Sequence, residues 1–421
     1  MVGACADRAS TMIGKKSGVL TKLKEMFPNI LLWHCMCHHI ELAVGDSVRS
    51  TNQINHVQVF LDKLYTVYNQ PKAQRELAEC ASSLDIEIKK IGRVLGVRWV
   101  ASSFRALDAI WENYPALVQH AEAVSCSTSP HKLTYKGMLK VLQSPQFLHS
   151  LAVLRDSLKE VSILSEALQK ENCSLPMAYA RVNSLVKALK AQKEQVVGPS
   201  FKEFEEREID DEFKGVKLVS KGVYLDRSRF LQALIDNMQS RLEGTVASGT
   251  RHESDRANLQ QLMVQIDVLH PLKWPSGVDA PWVEGEARLR QLCERFNVPF
   301  TNKILTDFRD FIEAPDQTDI PESIKFLKSI VSTLPVSSSD CERGFSAMNN
   351  ICTQSRNKLS VPHMSELVFI SLVGPPLEEF NPEAFVQVWL KKHRSADDTR
   401  SKVAQLPIDS QRYKPIWKLL C

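Results

Sequence analysis

The sequence lacks the features that mark several large classes of protein. No apolar run approaches the roughly 20 residues needed to span a bilayer, and the N-terminus has no basic segment followed by an apolar core of the signal-peptide kind. There is no internal repeat and no low-complexity tract. The net charge of +4 is too small to require nucleic acid as a partner. We therefore expect no membrane partner, and nothing indicates a small-molecule substrate.

The composition and length of the chain are ordinary for an intracellular globular protein. The hydrophobic fraction is 43% and the charged fraction is 24%, and 421 residues suffice for two or three domains with separate cores. The ten cysteines are scattered through this large chain instead of framing a short one. Scattered cysteines favour reduced thiols, and thus a protein of the nucleus or cytosol.

Helical periodicity dominates the chain. Apolar spacing predicts helices over 54–70, 177–193, 228–243, 338–355, 362–373 and 382–394, and a helix that runs from Ser10 to Met26 with weakened early turns at Gly14 and Gly18. Short strands are expected at 2–6 and 30–33. Loops are expected at 244–256, 273–277 and 315–321. The sequence therefore predicts a mainly α fold with a small α/β portion at its beginning.

Two N-terminal features and one acidic run in the middle of the chain could carry chemistry. Asp7 follows the first predicted strand, where it could hold a divalent cation or simply cap the next helix. The string HCMCHH at 34–39 suggests zinc, but no second ligand pair follows it, so zinc is not expected. The acidic run at 203–212 could bind a metal, although dense carboxylates more often form a solvated face.

The string SSSDCERGFS at 337–346 predicts a helix start, because its serines supply N-cap chemistry. Cys341, Phe345, Met348 and Cys352 then fall on one face of that helix. Glu342 and Arg343 lie in its first turn, where a solvated surface pair is the simplest interpretation. Leu367, Val368 and Leu372 belong to a second apolar surface, on the following helix.

Taken in order, Asp7, the Cys35-x-x-His38 motif, the Arg98-Trp99 pair and the string at 337–346 resemble the hAT superfamily of transposases. The resemblance implies a truncated RNase H-like α/β remnant, a large helical insertion and a C-terminal helical dimerisation region. The implied domains are 1–100 (partial RNase H-like core), 101–325 (insertion), 326–375 (dimerisation region with core helices) and 376–421 (tail).

The resemblance also implies roles for these residues. Asp7 and Glu342 would be two of three acidic ligands for Mg²⁺ or Mn²⁺, ions that prefer hard oxygen ligands. His38 would orient a catalytic carboxylate or contact the scissile phosphate. The residues implied to bind nucleic acid are Arg98, Trp99 and Arg343. Stacking of Trp99 on an extruded base and packing of Trp99 in the insertion both stay open. The residues implied for dimerisation are Phe345, Met348, Leu367, Val368 and Leu372.

The family's first three strands, with the first catalytic Asp, and its N-terminal zinc finger have no counterpart before Asp7. We therefore expect a domesticated or fragmentary hAT-like protein, a nuclear homo-oligomeric scaffold without catalysis and without a required cofactor. Two alternatives stay open. An upstream Asp-bearing segment would permit a metal-dependent DNA transposase, with DNA as partner. The stretch 96–105 also looks like vertebrate hAT-derived proteins that include a SUMO ligase, which suggests a SUMO-pathway cofactor.

Overall fold

The structure of the protein is a computed structural model. It describes residues 2–7, 9–14, 17–51, 54–94, 99–170, 173–194, 198–207, 212–219, 223–243, 253–270, 280–313 and 320–391. Helices dominate these segments, so the predicted mainly α class is confirmed. The chain divides into two compact units, Met1–Ser338 and Ser339–Cys421.

Two parallel strands, β1 (Gly3–Ala6) and β2 (Leu31–His34), open the first unit. Their register pairs Cys5 with Trp33. Parallel neighbours need a crossover connection, which here contains α1 (Ser10–Ile13) and α2 (Val19–Met26). Both predicted strands are confirmed to within about one residue.

The prediction of one helix from Ser10 to Met26 is wrong, because the first helix ends at Ile13 and the next begins at Val19. A Cβ atom added at Gly18 would lie 2.5 Å from the backbone nitrogen of Gly14. The close backbone approach that breaks the helix therefore requires glycine at residue 18.

The helices that follow in the first half of the unit are α3 (Met36–Arg49), α4 (Asn55–Tyr68), α5 (Pro71–Ser83), α6 (Trp99–Glu112), α7 (Tyr114–Cys126), α8 (Lys132–Leu142) and α9 (Pro145–Leu168). The longest of these is α9, which packs against α3, α4, α6 and α8. Ser144 caps it by accepting the N–H of Phe147, and Pro145 occupies the first turn, where no N–H is needed.

The rest of the unit consists of α10 (Leu175–Glu194), α11 (Pro199–Arg207), β3 (Glu212–Phe213), β4 (Val216–Lys217), α12 (Arg227–Met238), α13 (Glu253–Ile266), α14 (Ala280–Arg295), α15 (Asn302–Glu313) and α16 (Glu322–Ser332). A π-helical turn, Gln239–Glu243, extends α12. The helices predicted at 177–193 and 228–243 are confirmed.

The loop predicted over 244–256 is wrong in its last four residues, because α13 begins at Glu253. Leu262 and Ile266 of α13 are fully buried, so packing of the helix, not the polarity of its first turn, decides the structure. Residues 273–277 and 314–319 lie outside the described segments.

An antiparallel hairpin places Phe213 inside the helical core. Its ring lies 5.2 Å from that of Trp111, 5.4 Å from that of Tyr114 and 5.9 Å from that of Phe204, measured between centroids. All four side chains are fully buried. This aromatic cluster joins α6, α7 and α11, and aromatic pairs at these spacings add to the stabilisation from burial.

The second unit contains α17 (Ser339–Ile351), α18 (Val361–Val373) and α19 (Glu383–Lys391). The three predicted C-terminal helices are confirmed, with residues after 391 outside the described chain. A short 3-10 turn, Gln354–Arg356, separates α17 from α18, which pack against each other. Among the described helices of both units, none is long and apolar enough to cross a membrane.

Candidate functional site

Two of the predicted site residues follow the carboxyl ends of β1 and β2. Asp7 follows β1, and Cys35 separates β2 from α3. Because the strands are parallel, both residues leave the same edge of the pair. The Asp7 side chain is exposed, and its carboxylate accepts the N–H of Ala9 at 3.1 Å. This contact is an Asx turn before α1, whose N-cap residue is Ala9, so Asp7 does not occupy the predicted capping position.

Cys35 lies at the centre of a group of three thiols, Cys5, Cys35 and Cys37, which we call the thiol cluster. Its side chain is only 1% exposed, and its sulfur accepts the N–H of Ser338 at 3.3 Å. Hydrogen bonds from Cys37 and Cys5, together with that from Ser338, hold the pKa of Cys35 far below its usual range, although burial opposes them. The Cys-x-x-His motif therefore places its cysteine where the thiolate form is stabilised.

The histidines of the same string differ in their surroundings. His38 is half-buried in the first turn of α3. His39 forms a 2.6 Å hydrogen bond between its Nδ1 and the carbonyl oxygen of Arg241, and its ring stacks on that of His34 at 5.5 Å. Over the described residues, no three His, Cys, Asp or Glu side chains form a group suited to a metal ion.

The structure brings the start of α6 to α3, the helix that carries the Cys-x-x-His motif. The backbone N–H of Val100 donates to a carboxylate oxygen of Glu41 at 3.0 Å, which satisfies one of the free donors at the beginning of α6. No local sequence pattern indicated Glu41, although its position three residues after His38 puts both on one helical face. Arg98 and the side chain of Trp99 lie outside the described structure.

The acidic run at 203–212 has a structural role where it is described. Glu203 accepts the indole N–H of Trp111 at 3.0 Å and lies 3.6 Å from the ammonium group of Lys214. Residues 208–211 lie outside the described chain. These contacts favour the interpretation without a metal for the first part of the run.

In the second unit, Glu342 lies in the first turn of α17, as predicted, and Arg343 follows it as the fifth residue of the helix. Arg343 forms an ion pair with Asp340, three residues earlier on the same helix. The Glu342 side chain is exposed. Asp7 and Glu342, the two proposed acidic ligands, thus belong to different units.

The second unit exposes an unusual amount of apolar side chain. None of the residues of α18 or α19 is buried. Phe345 of α17 is 62% exposed, and Leu372 of α18 is 47% exposed. The remaining predicted dimerisation residues, Met348, Leu367 and Val368, are half-buried. We call the exposed set the apolar surface; its members are Phe345, Val361, Phe369, Ile370, Leu372, Val373, Leu377, Phe385, Val386, Trp389 and Leu390.

An apolar groove of about 740 Å³ lies within this surface, between α18 and the segment that leads into α19. Its lining includes Phe369, Ile370, Val373 and Leu377. Phe380 and Phe385 form its far side, with ring centroids 5.1 Å apart. A solvent-facing groove with this lining is typical of a site for another apolar side chain.

Comparison with known proteins gives a match in the first unit. A protein-family model described as the KIAA1586 C-terminal domain matches residues 263–334. The matched segment begins near the end of α13 and ends two residues after α16. This part of the chain is therefore similar to that domain.

Proposed function

We propose that this protein is a domesticated or fragmentary hAT-transposase-like protein that acts in the nucleus as a scaffold, by association of two copies through the apolar surface. The observation that carries the proposal is the complete lack of buried residues in α18 and α19. Helices of 13 and 9 residues are marginal in water on their own, because their stability comes mostly from packing of an apolar face. A partner that covers this face would supply the missing packing.

The composition of α18 favours protein over nucleic acid as that partner. Its 13 residues include one carboxylate, Glu366, and neither lysine nor arginine. Nucleic-acid surfaces concentrate basic residues, whereas interface cores are depleted of charge and rich in aromatic side chains. The aromatic residues Phe345, Phe369 and Trp389 in the apolar surface fit the second pattern.

Two arguments favour a second copy of this chain as the occupant. The resemblance to hAT transposases assigns dimerisation to this region. The exposed side chains of Ile370 and Leu372 lie about 200° apart around α18, so exposed apolar side chains cover more of the helix than a single contact stripe. An isologous pair in which each copy contributes the same surface would bury these side chains twice, and each fully buried one contributes about 1.5–3 kcal/mol.

We expect the wild-type protein to be a dimer at micromolar concentration, and Leu372→Glu to weaken the dimer by at least about 30-fold in Kd, since a central buried leucine would be replaced by an unpaired charge. Light scattering coupled to size exclusion, over a dilution series, measures both quantities. Leu133→Glu is the matched control, because Leu133 is 81% exposed on α8 of the first unit.

A monomeric wild-type protein over that concentration range would refute the proposal. Equal weakening by Leu133→Glu would also count against it, because the effect would then come from added charge and not from the apolar surface. Retention of the native circular dichroism spectrum by both variants separates loss of association from loss of folding.

A further inference from the structure

The thiol cluster takes no part in the proposed scaffold function, and three elements build it. Cys5 lies in β1, Cys35 follows β2, and Cys37 lies in the first turn of α3. Cys35 is the shared centre, because both other thiols hydrogen bond to its sulfur. The cluster is also tied to the distant segment before α17: Ser338 donates its N–H to Cys35, and the Cys5 sulfur lies 3.8 Å from the carbonyl oxygen of Val336, a second acceptor for its single proton.

The surroundings of Cys35 favour a reactive sulfur. The residue is the N-cap of α3, a helix of 14 residues whose positive dipole end lies beside the thiol. The Cys37 thiol, the Cys5 thiol and the N–H of Ser338 lie within hydrogen-bond reach of the sulfur, and they hold the pKa of Cys35 low in spite of burial. The thiolate is the form of cysteine that reacts with oxidants. Cys126 offers a contrast, because it is the exposed last residue of α7, at the negative end of that helix.

Cys37 is half-buried whereas Cys35 is enclosed, so a small oxidant reaches the Cys35 sulfur from the side of Cys37. Cys35 and Cys37 are also close enough to be joined. Met36 between them is helical, and residues two apart around a helical residue have Cα atoms about 5.4 Å apart. This separation falls within the range of about 4.4–6.8 Å that disulfides span.

We propose that the thiol cluster is a peroxide-sensitive modification site in which Cys35 and Cys37 form a reversible disulfide. The Cys35 thiolate attacks one oxygen of hydrogen peroxide, the O–O bond breaks, and a sulfenic acid on Cys35 and a hydroxide ion form.

The hydroxide ion takes the proton from Cys37 and becomes water. The Cys37 sulfur attacks the Cys35 sulfur, so the S–S bond forms as the S–O bond breaks and a second hydroxide ion leaves. The two sulfurs together lose two electrons, and the peroxide gains them. A dithiol reductant reverses the reaction.

Peptide mapping of the full-length protein tests the proposal. After brief exposure to hydrogen peroxide, remaining thiols are alkylated, and the protein is digested with trypsin without reduction. Cys35 and Cys37 fall together in peptide 25–49, Cys5 in peptide 1–8 and Cys126 in peptide 106–132. We expect peptide 25–49 to lose two hydrogens and escape alkylation about tenfold faster than Cys126 is oxidised. Dithiothreitol should restore it.

Variants identify the sulfurs involved. Cys37→Ser should abolish the internal disulfide, as should Cys35→Ser, whereas Cys126→Ser should leave its rate of formation unchanged. Cys37→Ser decides the result if the substitution at enclosed Cys35 prevents folding. The proposal is overturned if both cysteines of peptide 25–49 stay as alkylatable as Cys126, or if peptide 1–8 becomes joined to peptide 25–49 instead.

Discussion

Gly198→Ala is expected to destabilise the first unit by about 3 kcal/mol, a large effect for the addition of one methyl group. Gly198 immediately precedes α11, and a Cβ atom there would overlap the Asp156 side chain, with its Oδ2 and Cγ as the closest atoms. Asp156 lies on α9, is buried, and cannot swing into solvent without leaving its partners. The added methyl group would therefore displace the Asp156 carboxylate, and the loss of stability would come from that displacement.

The displaced carboxylate caps α11. Its two oxygens accept the N–H groups of Ser200 at 3.1 Å and Phe201 at 2.9 Å. These amides lie in the first turn of α11, where no backbone carbonyl can reach them. A side chain at the N-cap usually serves them, but here the N-cap is glycine and the cap comes from another helix. Loss of a charged acceptor leaves buried donors unpaired, at about 1–3 kcal/mol.

Asp156→Ala should therefore cost about as much as Gly198→Ala, and the double variant should cost little more than either single one. This coupling follows because both changes remove the same two hydrogen bonds. Urea unfolding followed by circular dichroism gives the free energies. Gly92→Ala is the matched control, since no atom lies within 4 Å of a Cβ atom placed there. If the double variant lost the sum of the two single losses in unfolding free energy, Gly198→Ala would act on contacts other than the hydrogen bonds of Asp156.

The cap on α11 illustrates which part of this fold the sequence could not reveal. Apolar spacing located six of the described helices, because periodicity is a local signal; they are α4, α10, α12, α17, α18 and α19. Asp156 and Ser200 are 44 residues apart, and Glu41 and Val100 are 59 apart. Nothing local distinguishes these carboxylates from solvated ones, so both inter-helix caps were missed.

The β3–β4 hairpin was missed for a different reason. Each strand has only two residues, too few to show alternation of apolar and polar side chains. The available signal was the turn itself. Lys214 and Gly215 adopt φ angles of +48° and +77°, and two such residues between apolar Phe213 and Val216 form the kind of turn that hairpins favour.

The candidate site was predicted in part. The order of motifs led to Cys35 and His38, and the structure places both at the start of α3. It did not lead to Cys5, whose place in the thiol cluster depends on the pairing of β1 with β2. Of the residues predicted for dimerisation, Phe345 and Leu372 belong to the apolar surface, whereas Met348, Leu367 and Val368 are half-buried and the members of the surface on α19 were not predicted.

Acidification from pH 7 to pH 5 is expected to destabilise the first unit by about 2 kcal/mol through His149 alone. The His149 ring on α9 is surrounded by the rings of Phe201 at 5.0 Å, Tyr224 at 5.1 Å and Phe204 at 6.2 Å between centroids. Its buried Nδ1 has no hydrogen-bond partner in the described structure. Burial, followed by the nearby charge of Arg227, lowers the pKa of His149 to about 4.

The direction of the effect follows from this depressed pKa. The unfolded chain has the ordinary histidine pKa of about 6.5, so below that pH it binds a proton that the folded protein does not. Protonation therefore favours unfolding, and stability is lost as the pH falls from about 6.5 towards about 4. His149→Phe should reduce the loss between pH 7 and pH 5 by about 2 kcal/mol, as measured by urea unfolding at each pH. His131→Phe, at an exposed histidine before α8, is the matched control and should leave the loss unchanged.

Part of the pH dependence should survive in His149→Phe. Burial also lowers the pKa of His120, although its hydrogen bond to Glu76 opposes the shift. Nδ1 of His120 also forms a hydrogen bond with the hydroxyl of Tyr68, at 3.0 Å. Both nitrogens of the His120 ring therefore have partners. Because His149 lacks a partner for its buried nitrogen, we expect the larger share of the acid sensitivity at His149. If His149→Phe loses as much unfolding free energy between pH 7 and pH 5 as the wild type, then the His149 imidazole becomes protonated in the folded protein without loss of stability.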